Sequence, residues 1–407
     1  MKKIILCMAL VMSVAGAFGQ KANVSKAKSK AQAGEYADAR ALIKLALADP
    51  TTANEAETWY VAGFVGSKEN DKLYAMARAT LKYDSIAKGK AVMESIPYYL
   101  KADELGEIPD AKGKVKNKYR KDIVTDIKNY FVNGDIVNYG AILYDNRDFK
   151  GAYDAFMLHL SVPQMPIMQG QEQVFETAKD ATKQVQYYAA LAASNAKMPA
   201  QAIEMYKKSI ADDYEKLGCY QLMVNEYQAL KDTVGYVQTL KDGFAAFPKE
   251  PWFLQNLINH YIFCGQESDA VKYLDDAITN EPTVAEYYYV KGMLEEKLNN
   301  IESAEANFNK ALEINPDMAG AYAGKGRLLF NKGIQVAESA SSITDTKRYN
   351  AEIEKAESLY RQGMPLFQKA VQLDDKETEY LENLKQVYYR LNMIDEYNDI
   401  TKKIKEL

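Results

Sequence analysis

Residues 285–318 read AEYYYVKGMLEEKLNNIESAEANFNKALEINPDM, and their spacing decides the fold. Tyr288 and Gly292 fall on a first helix, Ala304, Phe308 and Ala311 on a second, and Pro316 closes the unit. Small residues at the eighth, twentieth and twenty-seventh places let two helix backbones approach, while large ones at the fourth, eleventh and twenty-fourth fill the remaining space. The pattern recurs at a step of 34 residues: Pro248, Pro282 and Pro316, Ala270 and Ala304, Ala277 and Ala311, Gly292 and Gly326, Tyr288 and Tyr322. A proline at each end stops the second helix.

Working outward, the same signature marks eight helix pairs and a final one. GEYADARALIKLALADP (34–50) ends the first, with Ala39, Ala46 and Pro50; Trp59 and Gly63 open the second, whose ending at Tyr99, Ala102 and Pro109 arrives about twenty residues late. The intervening stretch has one glycine as its only breaker, so it is expected to lengthen the second helix or add one, projecting from the array. Residues 110–132 read as a charged helical connector, and VPQMPIMQG (162–170) as a loop by its prolines and glycine. The sixth and seventh pairs are regular. The eighth inserts about 25 residues, 334–358, read as a loop leading into a prolonged second helix. Residues 378–407 give a last, lysine-rich pair with one wet face. The expected division is 1–19 as a leader, 20–166 as an N-terminal array, 167–182 as a linker and 183–407 as a C-terminal array.

The N-terminus, MKKIILCMALVMSVAGAFGQ, has two lysines, an uncharged apolar run and small residues before Gln20, the pattern of a cleaved secretory signal. Cys7 lies inside the apolar run rather than at its end, which argues against lipidation. No comparable apolar stretch follows, so no membrane-spanning segment is expected after removal of the leader. The chain carries a formal charge of -5, a poor match to nucleic acid. Cys219 and Cys264 fall near opposite ends of successive first helices, on the order of 16 Å apart at about 1.5 Å per residue. Two free, mostly buried thiols follow.

The only histidines, His159 and His260, are about a hundred residues apart and fall at different places of different repeats, so they assemble no metal or triad constellation and read as partly buried structural residues. HExxH, CxxC, GxSxG and phosphate-binding glycine loops are absent. No catalytic residue, cofactor or metal is expected. What remains is a concave face lined by first helices, reached by places two, five, nine, twelve and thirteen. Those places give a groove of Tyr187, Leu191, Gln221, Asn225, Trp252, Gln255, Asn259, Phe263, Tyr289, Met293, Arg327 and Phe330, joined by Gln228, Ile262, Glu286, Glu296 and Lys297. Its amides can hydrogen-bond a peptide backbone, and its aromatic and methionine surface can hold apolar side chains. The competing reading packs Trp252, Phe263 and Phe330 between neighbouring repeats.

On these residues the chain resembles the tetratricopeptide repeat (TPR) superfamily, strongly over 251–333 and more loosely over 24–407. DTKRYNAEIEKAESLYRQGMPLFQKAVQLDD followed by YLENLKQVYYRLNM is similar to the ending of secreted repeat proteins from Bacteroidetes-type bacteria. The resemblance implies an all-α superhelical solenoid of helix-turn-helix repeats with two helical insertions, a periplasmic or envelope-associated location, and the holding of protein or peptide partners. It does not carry a carboxylate clamp, because Gln221 and Gln255 stand where chaperone-binding members have lysine and only Asn225 and Asn259 match. The leading expectation is a non-catalytic scaffold working through the groove. The alternatives are a structural subunit of an envelope assembly that contacts partners through its insertions, favoured by apolar residues exposed there, and an enzyme acting on cell-wall glycan, which would need two facing carboxylates in a deep pocket.

Overall fold

The computed structural model describes residues 20–407, so the leader lies outside the described residues. All of the regular structure in that range is helical. The chain forms two compact units, one ending at Tyr236 and one beginning at Val237, whereas the sequence reading puts its linker at 167–182.

The first unit begins with α1 (20–32) and α2 (Tyr36–Ala48), followed by the long hairpin α3 (Ala56–Arg78) and α4 (Ser85–Gly106). Then come α5 (Arg120–Val132), α6 (Asp135–Asp145) and α7 (Phe149–Ser161). Two 3-10 turns at Val162–Gln164 and Pro166–Met168 and the short α8 (Glu172–Glu176) lead to α9 (Lys179–Asn195), α10 (Pro199–Ala211) and α11 (Lys216–Ala229). Helix α12 (Thr233–Ala246) runs on from there. The second unit holds α13 (Pro251–Phe263), α14 (Glu267–Asn280), α15 (Ala285–Lys297), α16 (Ile301–Ile314), α17 (Ala319–Ala340), α18 (Thr346–Leu373), α19 (Thr378–Arg390) and α20 (Ile394–Glu406).

The repeat pattern has a direct physical meaning. A Cβ on Gly292 would sit 2.7 Å from the ring of Phe308, and one on Gly140 would sit 2.5 Å from the ring of Phe156. Gly326 and Gly63 stand in the same way against Phe367 and Tyr99. In each pair the small residue of the first helix is the space that the second helix's aromatic fills. Ala304, Phe308 and Ala311 are completely buried.

The turns are equally regular. Gly34, Arg147, Lys197, Lys231, Gly265, Asn299 and Asn392 all take positive φ, between 53° and 81°, at the end of a first helix. The next residue's N–H then reaches back along the helix, as in Met198 to Ala193 O at 2.9 Å and Asn300 to Glu295 O at 2.8 Å. This is the Schellman ending, which satisfies carbonyls that the helix leaves open. A backbone device held by Gly, Asn, Lys and Arg alike is invisible as a residue motif.

Both insertions correct the expectation in the same way. The first lengthens α3 and α4 together, to 23 and 22 residues, without adding a helix. The second prolongs α18 as expected but α17 as well, to 28 and 22 residues. An insertion at the turn of an antiparallel pair continues both apolar faces, so each half of the addition is covered by the other. In the second hairpin, a Cβ on Gly333 would lie 3.1 Å from the carbonyl oxygen of Ala356, and one on Gly363 would lie 3.2 Å from that of Gly326. The backbones touch, seven residues further along each helix.

Nor is the base of the first insertion free. Asp135, at the start of α6, pairs with Lys88 and lies 3.5 Å from Asn70 Nδ2, while Gly89 packs on the ring of Tyr139. On α5, Asp126 accepts from the hydroxyls of Ser67 and Tyr99, each at 2.7 Å. Burial pushes the Asp126 carboxyl above its ordinary range. The 162–170 segment is also anchored, with Val162, Ile167 and Met168 buried in the core of the first unit.

Candidate partner-binding face

In the second unit the residues named from sequence lie on α13, α15 and α17, and the helices use them very differently. Gln255, Asn259 and Phe263 are exposed at four-residue spacing along α13. They share one face. Phe263 is 91% exposed, more than any other large apolar side chain described. Ile262 is half-buried, and Trp252 is half-buried with its ring edge-on to Phe253 at 5.2 Å.

On α15 and α17 most of the named residues are committed to the fold. Tyr289 packs with Phe308 at 6.3 Å, and its ring occupies the space beside Gly320. Burial, with Tyr380 nearby, pushes its hydroxyl up to about 12. Met293 joins the same core. Phe330 packs against Tyr360 at 5.2 Å, within the long hairpin rather than towards solvent.

Arg327 is the centre of a three-helix clamp. Its Nε and Nη2 donate to the two carboxylate oxygens of Glu296 on α15, both at 2.8 Å, and its Nη1 donates to Glu379 on α19 at 2.9 Å. The Glu296 side chain is 14% exposed, so the fork-to-carboxylate pair is largely withdrawn from water. Sequence reading names Arg327 and Glu296 as groove residues but misses Glu379. The insertion separates it from Arg327 by 52 residues, outside the 34-residue step. Lys297 is exposed but holds Glu267 of α14 at 2.5 Å, and Glu286 is exposed.

In the first unit, Tyr187 packs against Tyr214 at 5.9 Å and Tyr188 at 6.4 Å. Leu191 and Gln221 are half-buried, and Asn225 and Gln228 are exposed.

His159 is buried and stacked parallel on Phe131 at 4.2 Å, and desolvation lowers its pKa to about 4. Cys219 is buried, with its thiol pushed up to about 12 by burial. Cys264 departs from the expectation of two buried thiols: it is exposed, 3.8 Å from His260 Nε2. It follows the last helical residue of α13 and precedes the left-handed Gly265, so its side chain points out of the turn instead of into the helix pair. Among the described residues, no group of three or more histidine, cysteine or acidic side chains is placed to hold a metal ion, and no helix is long and apolar enough to cross a membrane.

Residues 285–318 match the family model of the tetratricopeptide repeat. Over 102 residues the chain is 30% identical to the N-alpha-acetyltransferase 16 NatA auxiliary subunit of Mus musculus, a stretch that is 24% of this chain and spans only 11% of that relative. Among solved structures, a TPR protein from Bacteroides fragilis is 19% identical, with a TM-score of 0.33, over 63% of this chain and 97% of its own. The C-terminal part of a TPR protein from Cytophaga hutchinsonii is 15% identical, with a TM-score of 0.40, over 67% of this chain and 95% of its own. At these scores the fold assignment rests on the helix pairs and the matched repeat, not on superposition. Residues 285–318 are a tetratricopeptide repeat, and the chain resembles the superfamily built from it.

Proposed function

We propose that this protein is a non-catalytic scaffold that holds partner proteins or extended peptide segments on the exposed face of its first helices. The observation that carries the reading is the α13 strip: two amides, Gln255 and Asn259, and the 91% exposed ring of Phe263 lie along one face. Amides can pair with the backbone of a bound segment, and an aromatic ring in water gains most when covered. This narrows the groove named from sequence, since Tyr289, Met293, Arg327 and Phe330 already have partners within the fold. The leader supports an exported, periplasmic location, which N-terminal sequencing of the protein from its host tests by finding Gln20 first.

The functional test is site-specific photo-crosslinking in the host. A crosslinker at Gln255 is expected to capture defined partners, and Asn259→Ala with Phe263→Ala to abolish the capture while helicity is retained. A crosslinker at Ser268, exposed on α14, serves as the control. Capture from Gln255 that equals the control, or that survives the double variant, sinks the reading.

A further inference from the structure

The tip of the first long hairpin, residues 78–90, combines apolar exposure with a charge opposite to that of the whole chain. Leu81 is 57% exposed, Tyr83 38% and Ile86 39%. Around them stand Arg78, Lys82 and Lys90, all exposed and without an ion pair among the described residues. The single acid, Asp84, is occupied: its carboxylate accepts the backbone N–H groups of Ile86 at 3.0 Å and Ala87 at 2.9 Å, capping α4. A chain of formal charge -5 therefore carries a local cationic and apolar projection.

The tip is also preorganised. Thr80 takes φ 57°, and Leu81 N–H reaches back to Met76 O at 2.9 Å, the Schellman ending of the ordinary repeats. The cap at Asp84 fixes the other side, and on α4, at the base of the tip, Lys88 and Gly89 are tied to Asp135 and Tyr139. Ordering on contact therefore costs little. The second long hairpin has the same architecture, with Asp345 capping α18 and Lys347, Arg348 and the 39% exposed Tyr349 beside it, but it lacks the exposed aliphatic side chains: its connection, SSITD at 341–345, is polar, and the one apolar residue there, Ile343, is half-buried. The apolar tip is thus not required by the hairpin.

From this we infer that the 78–90 tip seats the protein on an anionic lipid bilayer. Leu81 and Ile86 enter the headgroup boundary, Tyr83 lies at its level as tyrosines do at interfaces, and Arg78, Lys82 and Lys90 meet anionic headgroups. This contact is independent of the α13 strip, so either surface can fail without the other.

Hydrogen exchange read by mass spectrometry on the full chain tests it locally, without interference from the leader. Vesicles of phosphatidylcholine with about a third phosphatidylglycerol are expected to protect the amides of 79–86 and leave 341–345 unchanged; pure phosphatidylcholine vesicles are expected to protect neither. Leu81→Ser and Ile86→Ser are each expected to weaken binding about tenfold. Lys82→Gln and Lys90→Gln should weaken it about fivefold each. These exposed positions leave the fold intact, and unchanged exchange in α5 checks that. Absence of protection on the anionic vesicles, or equal protection on neutral ones, overturns the inference. So does protection of 79–86 by lipid-free envelope proteins alone, which would make the occupant a protein.

Discussion

Gly292→Ala is the sharpest probe of how the repeat is held together, because local propensity and packing predict opposite signs. In a helix interior, replacing glycine by alanine gains about 1 kcal/mol. Here the added Cβ would stand 2.7 Å from Cδ1 and Cε1 of Phe308, well inside ordinary contact, and the ring cannot simply swing away. Its Cζ tip already meets α17, where a Cβ on Gly324 would lie at 2.5 Å. Overpacking of this kind costs about 1–3 kcal/mol, and a ring held from both sides puts the cost at about 2–3 kcal/mol, so against the gain of about 1 kcal/mol a net loss of about 1–2 kcal/mol is expected. In a Phe308→Leu background the ring edge is gone and the same substitution should turn neutral or stabilising, a coupling of roughly 2 kcal/mol. Gly218, where a Cβ would meet only the Tyr187 hydroxyl at 3.7 Å, is the control, and Gly218→Ala should stabilise by up to about 1 kcal/mol. Because repeat arrays open segment by segment, the assay is native-state hydrogen exchange of the amides in α15 and α16, with α11 read for the control. A Gly292→Ala protein as stable as its parent, or a loss unchanged by Phe308→Leu, refutes the reasoning.

Three further outcomes are expected. His159 has a folded-state pKa of about 4 against an ordinary value near 6.5, so the unfolded chain binds its proton first and stability falls as pH drops from about 6.5 towards 4, by at most roughly 3 kcal/mol. Asp126, pushed upward by burial, acts in the opposite sense, so the difference between the parent and His159→Phe in urea denaturation across that pH range isolates the histidine. Arg327→Met strands the Glu296 carboxylate and should destabilise the α17–α19 region by about 2 kcal/mol, and adding Glu296→Gln should restore most of it, read by exchange in α17 and α19; a double variant no better than the single one would show that the clamp is not the cause. Under native conditions an alkylating reagent should label Cys264 and spare Cys219 until the protein is denatured, as peptide mapping would show.

What the sequence made legible was the part of the fold written in side-chain size. Gly292 against Phe308, and Gly140 against Phe156, are contacts between residues a fixed number apart, so spacing reveals them. Gly324 serves the same ring but sits outside the expected small-residue places, so spacing does not find it. The Schellman turns, the doubled lengthening of both hairpins and the anchoring of α3 and α4 by Asp126 and Asp135 are properties of backbone angle or of contacts without a period. The groove residues illustrate the same limit. Gln255 and Arg327 both fall on first helices, yet only the folded structure separates an exposed amide from a guanidinium engaged by two carboxylates.

The seven-residue step in the second hairpin makes its length a modular quantity. Gly326 faces Gly363 and Gly333 faces Ala356, so one more heptad on each helix, about fourteen residues in all, reproduces the same backbone approach further out. Each such unit adds about 10 Å of reach at about 1.5 Å per residue, while the residues that stack one repeat on the next keep their neighbours. An engineer could therefore set how far this arm extends by counting heptads, and evolution has the same ruler available.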